Sequence, residues 1–190
     1  MGKYRYTYTS MRGNGTVLQN VLFVAVALLV VVVIRTYVFQ PFLVRGDSMV
    51  PSFHSGDYLI VDELSYKFLR SPVRGEVIVF KFPGDETQKY IKRVIGLPGE
   101  TVEIREGKVF VSMGSEPKEL EEPYLRQGTV TEGFTELTLG NDEYFVMGDN
   151  REFSSDSRRW GTLPQEEIIG RALLRVFPFQ DFAAFAAPAY

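Results

Sequence analysis

Three short segments hold the residues whose types and spacing could do chemistry. Arg45-Gly-Asp-Ser-Met-Val-Pro51 offers the hydroxyl of Ser48 among turn-forming residues. Tyr90-Ile-Lys-Arg-Val-Ile95, followed by Gly96, Pro98 and Gly99, sets Lys92 and Arg93 side by side in an apolar run. In a strand these two cations face opposite sides, so one of them must point inward or across an edge. The stretch from Gly148 to Gly161 concentrates Asp149, Asn150, Arg151, Ser154, Ser155, Asp156, Ser157 and Arg158. A serine hydroxyl is a weak nucleophile until a base takes its proton. The chain has no cysteine and one histidine, His54, in a Phe-His-Ser-Gly-Asp turn that reads as surface. Thiol nucleophiles, cysteine-based metal sites and most histidine-dependent sites are therefore excluded. Lysine remains as the base. Complete burial lowers a lysine pKa by about 3–5 units, which leaves a neutral amine able to accept a proton.

Each segment also has a plainer reading. Gly, Asp, Ser and Pro around Ser48 make an ordinary turn. Lys92 suits an exposed edge strand, where lysines guard against aggregation. The third segment suits a polar surface loop held by an Asp156–Arg158 pair. By spacing alone these alternatives stay open.

The elements that must position these residues follow from patterning. At 190 residues the chain has room for a membrane segment and one compact domain. A net charge of −3 gives no basic excess for phosphate backbones, so nucleic acid is not an expected partner. Residues 1–16 carry Lys3, Arg5 and Arg12 without an acid and read as a cytoplasmic tail. Residues 17–39 are apolar apart from Gln19, Asn20, Arg35 and Thr36, and they predict a single signal-anchor helix, since about 20 residues cross a bilayer core. No small-x-small pattern follows the run, so it reads as uncleaved. The basic tail orients the N-terminus inward and puts the rest on the outer face.

Residues 40–190 predict a mostly antiparallel β domain. Runs over 58–62, 76–82, 90–95, 101–105, 108–112, 143–147 and 170–177 are rich in β-branched and aromatic residues, with a tight hairpin at Glu106-Gly107. Residues 113–137, with Pro117, Pro123, Gly128 and Gly133, read as a small excursion. The Ala-rich stretch 182–190 reads as a surface tail touching lipid through Phe182 and Phe185. Ser48 lies nine residues past Phe39 and hence within about 30 Å of the membrane exit.

Gly-Asp-Ser-Met-x-Pro, Tyr-Ile-Lys-Arg-x-x-Gly-x-Pro-Gly and Gly-Asp-Asn-x-x-x-Ser-x-Asp-Ser-Arg, in this order after one membrane span, resemble the signature boxes of bacterial type I signal peptidases. The resemblance runs from the span through Arg171. It implies a serine endopeptidase with Ser48 as nucleophile and Lys92 as general base, Ser154 orienting the lysine, and Asp156 and Arg158 supporting the site. It also implies apolar subsites for small side chains, lined by Phe42, Val44, Met49, Leu59, Val79 and Ile91. Where some members have a serine whose hydroxyl helps the oxyanion hole, this chain has Gly46, which throws more of that task onto backbone N–H groups such as that of Ser48. Ser52 stands where the family commonly has threonine. The implied partners are signal-peptide-bearing preproteins, the lipid bilayer and the secretion translocon. No metal or organic cofactor is implied.

Two other readings compete with this one. A self-cleaving Ser/Lys peptidase of the repressor type shares the dyad, yet the chain has a span and lacks a basic recognition helix. A membrane-tethered β module would leave Ser48 and Lys92 merely structural.

Overall fold

The computed structural model describes residues 14–37, 39–133 and 135–188, which fall into two compact units, 1–38 and 39–190. The first contains one helix, α1 (Asn14–Tyr37), of 24 residues. Its side chains are described from 16 to 31, and all of these are exposed. Among the described residues no helix is long and apolar enough to cross a membrane. The expected tail over 1–16 lies largely outside the described residues, and of the expected span 17–39 only residue 38 does.

The second unit is built from antiparallel strands. In chain order they are β1 (Phe39–Leu43), β2 (Tyr58–Asp62), β3 (Val77–Phe82), β4 (Asp85–Gly96), β5 (Thr101–Arg105), β6 (Lys108–Ser112), β7 (Lys118–Glu119), β8 (Thr135–Thr138), β9 (Glu143–Met147), β10 (Leu163–Pro164), β11 (Ile168–Phe177) and β12 (Ala183–Ala184). A four-residue helix, α2 (Ser157–Trp160), lies between β9 and β10. The main sheet runs β1-β2-β11-β3-β4-β9-β10, with β12 on β11, and a second sheet runs β7-β6-β5-β8.

Sequence explains why both faces of the main sheet are covered. Successive side chains of a strand point to opposite faces. In β3, Val77 and Val79 enter a cluster with Val44, Met49, Phe53, Leu59, Val61 and Ile91. Their neighbours Ile78 and Phe80 enter a different cluster with Val94, Tyr144, Val146 and Leu163. A strand buried on both faces reads as a continuous apolar run, which is what Val-Ile-Val-Phe is. A third cluster, with Ile95, Val102, Ile104, Val109, Phe145 and Met147, packs the second sheet onto β4 and β9.

The hairpin of β5 and β6 turns through Glu106 and Gly107 at φ of 51° and 77°, the two-residue geometry expected there. It belongs to the second sheet, together with β7 and β8. The Ala-rich tail departs from expectation as well. Phe182 is exposed, but Phe185 is half-buried against the cluster that holds Met49 and Phe53.

Candidate active site

Ser48 sits in a turn whose base is closed by the Val44 N–H donating to Asp57 O (2.9 Å) and the Gly56 N–H donating to Val44 O (3.0 Å). Met49 and Phe53, both 0 % exposed, nail the turn into the core, and the Phe53 N–H donates to Met49 O at 2.9 Å. Gly46 takes φ +85°, in the left-handed region that favours glycine, and its N–H donates to Ser55 Oγ at 3.3 Å. Among the described residues no group accepts a hydrogen bond from the Ser48 N–H. His54 is exposed, as its turn predicts.

Lys92 comes from β4 and is only 4 % exposed. Its Nζ lies 2.8 Å from Ser48 Oγ and 2.9 Å from Ile91 O. Burial is the largest influence on this amine and lowers its pKa to about 8, against the opposing pull of the Asp156 and Asp149 carboxylates. Arg93 does not take the exposed alternative to an inward lysine. It too is buried, at 6 % exposure, because Asp149 receives it with Nε–Oδ1 and Nη2–Oδ2 contacts of 2.8 and 2.6 Å. Its guanidinium also donates to Gly75 O and Ser52 Oγ and lies 3.8 Å from the centre of the Tyr124 ring. A paired guanidinium tolerates burial that an unpaired ammonium resists. That difference sorts the two neighbouring cations by chemistry: one is held charged and the other is pushed towards neutrality.

The loop 148–158 closes the site. Asp156, fully buried, caps α2 and receives Arg158 Nε and Nη2 at 2.8 Å each, and it accepts the Gly148 N–H at 3.1 Å. Burial alone would raise its pKa, but the Arg158 contacts hold the carboxyl below the usual range. Ser154 Oγ is buried, makes no hydrogen bond of ordinary geometry, and helps keep Asp156 ionised. No hydrogen bond joins Ser154 to Lys92. Asn150 binds the nucleophile turn directly, its N–H donating to Ser48 O and its Nδ2 to Asp47 O, each at 3.0 Å. A side-chain carbon on Gly148 would come within 2.3 Å of both Ser154 Oγ and Ser48 O. The loop thus packs on the turn as closely as a glycine allows.

A groove of about 730 Å³ opens over Ser48 and Lys92, with Phe42, Gly46, Ile91 and Phe153 among its walls. Of the residues expected to line subsites, Phe42 and Ile91 lie along this groove, whereas Val44, Met49, Leu59 and Val79 are 0–1 % exposed and sit in the core cluster against which Phe42 packs. Two backbone edges border the groove. Among the described residues β1 pairs only with β2, and β4 pairs with β9 only from Arg93 onward, so 89–91 pair with β3 alone.

Sequence reasoning passed over Asp149, Asn150, Gly148 and Phe153 as individuals. The signal was the Gly-Asp-Asn of the third segment, read there as part of a motif and not as the partner of a turn a hundred residues away.

The family model described as signal peptidase, peptidase S26, matches residues 17–177. A probable signal peptidase I-1 of Synechocystis is 39 % identical over 167 residues, covering 84 % of this chain and 82 % of the relative. A signal peptidase I of Bacillus caldolyticus is 38 % identical over 172 residues, covering 83 % and 90 %. A solved signal peptidase I from Enterococcus faecalis V583 is 31 % identical, covers 54 % of this chain and 97 % of its own, and superposes with a TM-score of 0.46.

Proposed function

Because the chain belongs to the signal peptidase family, peptidase S26, and is a serine endopeptidase, we propose that it removes N-terminal signal peptides from exported preproteins with Ser48 as nucleophile and Lys92 as general base. One observation carries the reading: a lysine amine whose burial brings its pKa to about 8 lies 2.8 Å from a serine hydroxyl at the floor of an open groove. That distance suits direct proton transfer.

In the proposed cycle neutral Lys92 takes the Ser48 proton as Oγ attacks the scissile carbonyl. The resulting oxyanion is met by the unengaged Ser48 N–H. Collapse of the tetrahedral species breaks the peptide bond, and Lys92-H⁺ delivers its proton to the leaving amine of the mature protein. The signal peptide stays esterified to Ser48. A water, losing its proton to Lys92, then hydrolyses the ester. Asp156 and Arg158 act through geometry, fixing Gly148 and the loop that packs on the nucleophile turn. The two open strand edges support recognition of an extended segment through its backbone, by strand addition.

The same reading makes the protein membrane-bound, with its N-terminus cytoplasmic and the β domain on the outer face. The 24-residue α1 would be about 36 Å long, and the basic residues Lys3, Arg5 and Arg12 precede it. Preproteins and the bilayer are then its partners, with the secretion translocon beside it. The test is incubation of the purified protein with a preprotein and sequencing of the new N-terminus. Cleavage after a small residue that vanishes in Ser48→Ala and Lys92→Arg supports the dyad. Cleavage persisting in Ser48→Ala removes it.

A further inference from the structure

The Ala-rich segment 182–188 takes no part in the groove, yet it is tied to the nucleophile turn. β12 pairs with β11 through Leu174↔Ala184 and Arg175↔Ala183, and the Phe185 N–H donates to Leu173 O at 3.0 Å. This hydrogen bonding aims Phe185 at the core, where its ring centre lies 4.4 Å from that of Phe53. Phe53 is 0 % exposed and stands five residues after Ser48, inside the same turn. Arg175 joins the two levels. Its guanidinium lies 5.5 Å from the Phe185 ring and 5.9 Å from Phe53, and Nη1 donates to Ser52 O at 3.2 Å and to Asp57 Oδ2 at 2.9 Å. Nε of the same side chain donates to Asp181 O, just before the tail strand. Asp57 in turn accepts the His54 N–H at 3.0 Å. Ala186 and Ala187 continue along a small gap of about 30 Å³ beside Val77 and Arg93.

We propose that Phe185 is a positioning residue: through Phe53, with Arg175 as cross-brace, the tail sets the placement of the turn that carries Ser48. The proposal rests on the peptidase reading above. Besides the hydrogen bonds at its base, buried Met49 and the Asn150 contacts, the turn is tied to the sheet over Ser52 to Gly56 through Arg175, Arg93 and the Phe53 ring. The ring matters because a displacement of about 1 Å at a catalytic group can cost roughly a hundredfold in rate. Phe185 is also small-residue-flanked on both sides, Ala183, Ala184, Ala186 and Ala187, so the segment offers a single anchor and not a broad apolar face.

The experiment compares full-length Phe185→Ala, Phe185→Val and Phe185→Leu with the unaltered protein and with Ser48→Ala, all cleaving one preprotein well below each variant's melting temperature. The expected result is a kcat at least tenfold lower for Phe185→Ala, with KM within threefold of the unaltered protein, and most of the loss recovered in Phe185→Leu. If the alanine variant does not fold, the graded decline through Leu and Val carries the same information. A kcat for Phe185→Ala within twofold of the unaltered protein while Tm falls would overturn the proposal, because packing alone predicts that outcome. So would a raised KM at constant kcat, which would place the tail in substrate binding. Failure of the unaltered protein to cleave in a Ser48-dependent way would sink the peptidase reading instead.

Discussion

Lys92 and Arg93 are adjacent in sequence and alike in formal charge, yet the fold gives them opposite electrostatic fates. Because burial takes Lys92 to about 8 and the base must be neutral, kcat/KM for preprotein cleavage should climb about tenfold per pH unit below pH 8 and level off above it. A flat profile between pH 6 and 8 would show that another group is the base. The same burial costs stability. The unfolded lysine holds its proton up to about 10.5, so between pH 8 and 10.5 the unfolded chain binds more protons and stability rises with pH, by on the order of 3 kcal/mol at this residue. Below pH 8 that cost is fully present. Lys92→Met removes it while filling the same space, so denaturant titration should find the variant inactive, more stable than the unaltered protein at pH 7, and no longer so at pH 10. Ser48 and Lys92 could be singled out in the sequence because each sits in a short motif, while only the fold brings Lys92 Nζ to 2.8 Å from Ser48 Oγ. Asp149 as the partner of Arg93 was not, since the pair spans 56 positions and only the folded sheet brings it together.

At the scale of elements, strands with clean alternation or a dense β-branched run were legible to the residue, as at β2, β5, β6 and β9. β1 was not, because Phe-Gln-Pro-Phe-Leu follows directly on the apolar helix and contains Pro41, which suits only an edge strand. The first half of β4 was missed because Asp85 to Lys89 is polar, as an exposed hairpin arm should be. The second sheet was also hidden, for two of its strands, β7 and β8, are short and polar and pair only with partners already formed. Its contribution to the site is a clamp. Glu122 pairs with Arg151, whose side chain is 1 % exposed and whose Nε donates to Gly148 O at 3.1 Å, while Tyr124 covers Arg93. Glu122→Gln leaves that buried guanidinium uncompensated and should cost about 3 kcal/mol, with slower cleavage. Glu119→Gln breaks the half-exposed pair with Lys108 and should cost less than about 1 kcal/mol. Chemical denaturation of the two variants side by side checks the contrast, and equal losses would refute the clamp.

The chain joins a helical unit, 1–38, to a β unit, 39–190, and in the membrane-anchored reading proposed above the charge asymmetry around the helix directs the β unit outward. Protease added to intact spheroplasts should digest the β unit; protection until lysis would reverse the orientation. The mostly β class was legible from composition and periodicity, whereas the coiling that brings β1 and β4 to the same groove was not, because it depends on the order in which distant strands join. That pair of unpaired edges has a consequence for timing. In the strand-addition reading proposed above, a groove walled by open backbone takes a segment whose own N–H and C=O groups are free, and a folded protein has spent most of its buried ones on itself. Under the proposed strand addition, the substrate's own folding narrows the window for cutting, and a chain is most vulnerable while it is young.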